Sequence, residues 1–115
     1  MSVEELVKQF ADHALQQDEA LLDDEISKVN RLFWKLREIE RELKTRQGDQ
    51  RSALLSLYQH PNAQVRVKAM TATLAVAPIQ ARSALQALAN SKEYPAALEA
   101  GTTIRGLDRG IFKPT

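Results

Sequence analysis

Seven residues recur almost unchanged along the chain. Arg51-Ser52-Ala53-Leu54-Leu55-Ser56-Leu57 returns as Arg82-Ser83-Ala84-Leu85-Gln86-Ala87-Leu88, a shift of 31 positions (82 − 51) within only 115 residues. A period of this size accommodates one pair of helices per unit, and such a pair cannot bury its apolar face alone. Neighbouring pairs must complete the core. The function of such a chain is expected on its surfaces rather than in a cleft of reactive groups.

The register extends beyond the heptapeptide. It aligns Ala69 with Ala100, Thr71 with Thr102 and Val76 with Leu107, so two copies span Arg51 to Leu107. In the first copy Leu54, Leu57 and Tyr58 fall at i, i+3 and i+4, one stripe of a short helix, which His60-Pro61-Asn62 interrupts. Asn62 is suited to cap a second helix, along which Val65, Ala69, Ala72 and Val76 recur at spacings of four, three and four. Alanines on that face favour close approach of helices. Equivalent positions Leu57 and Leu88 are both expected to be buried.

The segment His60-Pro61-Asn62-Ala63-Gln64-Val65-Arg66-Val67-Lys68-Ala69 resembles the turn and second-helix start of HEAT-type repeats, in which a Pro-containing turn and an Asp or Asn precede Val-Arg and an Ala. With Ala77-Pro78 and Ala97-Leu98-Glu99-Ala100, the run from Asn30 to Gly110 is similar to a family of small bacterial helical proteins of undefined function with HEAT-like repeats. The second copy departs from the pattern, carrying Ala96-Ala97 where Val-Arg belongs. The resemblance implies an all-α, HEAT-like solenoid, a right-handed α-α superhelix of about six helices in three stacked pairs. It also implies interaction by surface, as an adaptor or a neutraliser of toxic effectors, and no catalytic residue.

Punctuation along the chain divides a single domain, 1–115, into a helix pair over 1–48, a first repeat over 49–77, a second over 78–107 and an irregular tail over 108–115. Ser2 and Glu5 form a capping box for a first helix from Val3 to Gln17. Leu22, Ile26, Val29, Phe33, Leu36 and Leu43 mark a longer second helix, reaching Gln47 and ended by Gly48 in a left-handed conformation. Asp49 is expected to cap helix three, which stops before His60. Helix four should run from Pro61 or Asn62 to Ala77, helix five from Pro78 to Asn90, and helix six from Pro95. Ile111 and Phe112 are expected to pack back over the last repeat.

Composition narrows the chemistry further. There is no cysteine, and His13 and His60 are too far apart for a metal-ligand pair; His13 reads as facing the polar side of its helix. No Gly-rich phosphate loop, nucleophile motif or His-x-x-x-His pair occurs, so neither an enzyme nor a metal or other cofactor is expected. The acids at Asp12, Asp18, Glu19, Asp23, Asp24 and Glu25 lack the Gly of a calcium loop and read as a solvated face. No apolar run approaches the roughly 18 residues of a membrane span, and the N-terminal residues lack the basic segment of a signal peptide, so a cytoplasmic location is expected. The net charge of +1 conceals poles of −7 over residues 1–25 (one base, eight acids) and +8 beyond (fifteen bases, seven acids). That split fits either helix-end electrostatics or a polyanion-binding face.

Trp34 resists assignment to the core. The apolar stripe of its helix passes through Leu32, Phe33, Leu36 and Ile39, whereas Trp34 shares a side with Asn30, Arg37, Glu38 and Arg41. Either another helix or an arginine stack covers it, or it anchors a partner, since Trp and Arg are enriched at binding hot spots. Asn30, Trp34, Arg37, Arg41 and Arg66 are therefore the candidate residues for binding a protein. The alternative is a basic helical face, from Arg31, Lys35, Arg37, Arg41, Lys44 and Arg46 to Arg66 and Lys68, that binds nucleic-acid phosphates. Against it stand 5% aromatic residues, a pI of about 8.1, and Glu38, Glu40 and Glu42 interleaved for i,i+4 pairing.

Overall fold

The Ser2 hydroxyl accepts the Glu5 amide at 3.1 Å while the Glu5 carboxylate accepts the Ser2 amide at 3.4 Å. This expected capping box starts the first of six helices in a computed structural model that describes all 115 residues and contains no strand. The helices are α1 (Val3–Leu22), α2 (Ile26–Thr45), a 3-10 helix (Gln50–Gln59), α3 (Ala63–Ala72), α4 (Pro78–Ala89) and α5 (Ala96–Asp108). They form two compact units, Met1–Ala53 and Leu54–Thr115.

In the N-terminal unit, α1 and α2 pack as a hairpin whose buried faces carry Leu6, Phe10, Ala14 and Ala20 on α1 and Leu32, Leu36, Ile39 and Leu43 on α2. Gln17 lies buried in the α1 face and donates from Nε2 to the Val29 carbonyl at 3.2 Å. The first helix outlasts its expected end at Gln17 by a full turn because Ala20 continues the buried face. Asp24, at φ 57, then stops it. Glu25 N donates to Ala20 O at 2.9 Å and Asp24 N to Leu21 O at 3.3 Å, the paired bonds of a Schellman motif built on Asp instead of Gly. At the other end α2 stops at Thr45, earlier than expected. The Arg46 side chain turns back to Glu42 and to the Met1 carbonyl, and Gly48 takes its left-handed conformation (φ 78) in the turn that follows.

The two heptapeptide copies adopt different helices. Arg82–Leu88 lies in α4, but Arg51–Leu57 lies in the 3-10 helix, where Asp49 accepts the Arg51 amide and grips its guanidinium at 2.6 and 2.9 Å. Leu54 and Leu85 are equivalent and both fully buried. Three residues on, a 3-10 helix has turned about 360° where an α-helix has turned about 300°. The full turn sets Leu57 on the same side as the buried Leu54, yet contrary to expectation it is only partly buried, whereas Leu88 is buried.

In the C-terminal unit, α3 packs against α4 and α5, which pack on each other around Val67, Met70, Leu85, Leu88, Ala100 and Ile104. Asn62 caps α3 as expected, accepting the Gln64 and Val65 amides at 2.9 and 3.1 Å. The helix ends at Ala72 rather than Ala77, where the buried Thr73 hydroxyl bonds to the Ala69 and Met70 carbonyls and to the Tyr58 hydroxyl. Pro78 opens α4. In the tail Phe112 packs on the core, whereas Ile111 is exposed.

His13 corrects its sequence assignment, because it is half-buried and its Nδ1 is shielded from solvent with no hydrogen-bond partner. Burial, aided by nearby Lys35 and opposed by Asp12, pushes its pKa below 6.5. The native state thus favours neutral imidazole while the unfolded chain still takes up a proton as pH falls through about 6.5. The associated stability is complete above that pH and is lost below it. Urea midpoints measured between about pH 8 and pH 5.5 should fall less steeply for His13→Gln than for the wild type; parallel curves would contradict this. Leu54→Ala and Leu85→Ala should each cost about 2–5 kcal/mol, and half-buried Leu57→Ala less, by chemical denaturation.

Candidate interaction face on α2

An α-helix advances about 100° per residue, which sets Trp34 roughly opposite Leu32 and Leu43. Since those residues are buried, Trp34 is turned to solvent and is 63% exposed. Phe33 was expected on the apolar stripe, yet it lies a quarter-turn from Trp34 and is 44% exposed. The rings meet edge to face, with centroids 5.2 Å apart and planes at 81°. That geometry suits the aromatic quadrupoles. Ile26, also exposed, extends the apolar area toward the start of the helix.

Asn30, Arg37, Glu38 and Arg41 share the Trp34 side of α2, and all are exposed. Neither arginine has a carboxylate within ion-pairing distance. The i,i+4 pair that forms nearby is Glu42–Arg46, at 3.0 Å, and Glu40 acts electrostatically on Arg51. The face therefore combines two rings in edge-to-face contact with two unpaired guanidinium forks and the Glu38 carboxylate. The helical wheel carried the signal for Phe33 and Ile26, which were read as stripe residues from spacing alone.

Arg66, the fifth candidate, belongs to the C-terminal unit, where Glu93 binds its fork at 2.6 and 3.0 Å. The hydrogen bond raises the Arg66 pKa and lowers that of Glu93. Lys68 is likewise taken by Glu99 at 2.9 Å. Both were expected as members of a basic face, and both are instead neutralised in place. Arg66 also borders a cleft of about 320 Å³ between α3 and α4, lined by Tyr58, Met70, Leu88 and Ser91. A second, of about 360 Å³, lies between α4 and α5, with Gly101 on its floor and Tyr94, Leu98 and Arg105 at its sides. No group of three or more His, Asp or Glu side chains is arranged to hold a metal ion. No helix is long and apolar enough to cross a membrane.

No curated protein matches the chain significantly. Among solved structures, the crystal structure of the protein RPA1889 from Rhodopseudomonas palustris CGA009 is 51% identical, covering 100% of this chain and 95% of that one, with a TM-score of 0.96. Residues 4–108 match a family described as a domain of unknown function, DUF2019. The chain is thus a member of the small all-helical DUF2019 family.

Proposed function

We propose that the chain is a cytoplasmic, HEAT-like helical-repeat module that binds a protein partner through the Trp34 face of α2 and carries out no catalysis. The observation that carries this reading is the exposed Phe33–Trp34 pair flanked by the unpaired Arg37 and Arg41. A rigid indole offers large apolar area at little entropic cost, and arginine forks add oriented hydrogen bonds, the combination that dominates interface energetics. Adaptor and toxin-neutralising roles would both use such a face.

The repeat reading draws support from the C-terminal unit. Lys68 and Glu99 are equivalent positions in the two copies and pair with each other, while Val65 with Ala96 and Ala69 with Ala100 are buried in both. Val67 and Met70 of α3 face the shared core, whereas their equivalents Leu98 and Gly101 border the α4–α5 cleft.

The second reading, phosphate-backbone binding, rests on the same two free arginines beside an exposed aromatic ring. Capture from native lysate separates the readings. Protein binding predicts a captured partner that persists at about 0.15 M salt and falls at least tenfold with Trp34→Ala. Micromolar duplex-DNA or RNA binding at that salt, lost in an Arg37→Ala/Arg41→Ala double variant and indifferent to Trp34→Ala, would replace it with the second reading.

A further inference from the structure

Charge and apolarity are ordered along the exposed side of α2. At its N-terminal end the turn Asp23-Asp24-Glu25 is acidic and exposed. Ile26, Phe33 and Trp34 occupy the middle, at 58%, 44% and 63% exposure. Arg37, Arg41 and Lys44, all exposed, follow toward the C-terminal end, with a single acid, Glu38, among them. None of these acids or bases is in an ion pair within the chain. Lys28 and Arg31, the bases nearest the acidic turn, border the same surface depression as Asp24, Glu25 and Ile26 and lie on the opposite flank of the helix from Phe33.

Reversing the direction of the helix converts acid, apolar, base into base, apolar, acid. Apart from Glu38, the face is thus complementary to itself in the antiparallel sense. A two-fold axis passing between Phe33 and Trp34 would set Phe33 against Trp34 of the second copy, Asn30 against Arg37, Ile26 against the Arg41 stem, and the Asp23 turn beside Lys44. Such a contact is isologous, so each pairing occurs twice and closes without leaving a free end. The aromatic rings would form its dry centre and the charges its rim, the usual arrangement of a specific interface. Charges placed at the two ends also fix the register, because a parallel pairing would oppose like with like.

We propose that a second copy of this chain covers the Trp34 face, in an antiparallel α2–α2 pair centred on Phe33 and Trp34. This rests on the reading of that face as a protein-binding surface and names its occupant. Trp34 is the only tryptophan in the sequence, so its emission reports directly on the contact.

Sedimentation velocity and tryptophan emission of the full chain, recorded from roughly 0.1 to 300 µM, test the proposal over the range of weak to moderate homodimers. The expected result is a shift from 12.9 kDa to twice that mass, with emission moving to shorter wavelength along the same concentration curve. Trp34→Ala should leave a monomer. Asp23→Lys and Lys44→Asp should each weaken association at least fivefold, about 1 kcal/mol. The double reversal should restore it, since an antiparallel pair then regains both contacts with signs exchanged. Circular dichroism of each variant guards against unfolding, which exposed positions are not expected to cause. Monomeric behaviour throughout overturns the proposal, as does a dimer indifferent to Trp34→Ala or a double reversal no better than its parents. Monomeric behaviour combined with Trp34-dependent capture of a different protein removes this inference alone, whereas monomeric behaviour without capture removes the underlying reading as well.

Discussion

The seam between α1 and α2 determines what the N-terminal unit can present. Leu32, Leu36, Ile39 and Leu43 recur at spacings of four, three and four, so α2 has one rotational setting that buries them all. Rotating the helix to hide Trp34 would lift this stripe into water, at about 1.5–3 kcal/mol for each leucine or isoleucine. One indole cannot offset four such side chains. The hydrogen bond from Gln17 to the Val29 carbonyl ties the same setting to α1. Exposure of the aromatic pair is thus a consequence of the core, not a local accident.

The C-terminal unit solves a different problem with small side chains and paired charges. Ala69, Ala81, Ala96, Ala97 and Ala100 are buried, permitting close helix packing around a modest number of larger residues. Its three carboxylates, Glu93, Glu99 and Asp108, are taken by Arg66, Lys68 and Arg82. These pairs are partly solvated and add little stability individually, but they link segments distant in sequence and specify how those segments align. Arg66, whose motif position first suggested a binding role, thus has its guanidinium fork occupied by Glu93.

Features governed by near neighbours were legible in the sequence. The Ser2–Glu5 box, the Asn62 cap, the Pro78 start and the placing of Trp34 off the apolar stripe each follow from a few adjacent residues and the 3.6-residue period, whereas the sequence left open whether Trp34 is covered. What escaped depended on unusual local chemistry or on distant partners. Asp24 ends α1 in a conformation normally left to glycine, and the Thr73 hydroxyl ends α3 by bonding backbone carbonyls and Tyr58. The repeated heptapeptide gave no sign that its first copy would wind as a 3-10 helix, because both copies share one apolar pattern. Phe33 was misread for a related reason: it sits a quarter-turn from Trp34, where hydropathy alone favours the core. Glu93 and Glu99 lie 27 and 31 residues from their partners, beyond any local pattern.

The interaction surface on α2 depends above all on Trp34 standing free of its own chain. Acrylamide quenching of the single tryptophan, measured in solution too dilute for association, reads that directly. Quenching close to that of the urea-unfolded chain is the predicted result. An indole strongly protected in the native monomer would mean that another part of the chain covers the face, and the interaction surface on α2 would not exist.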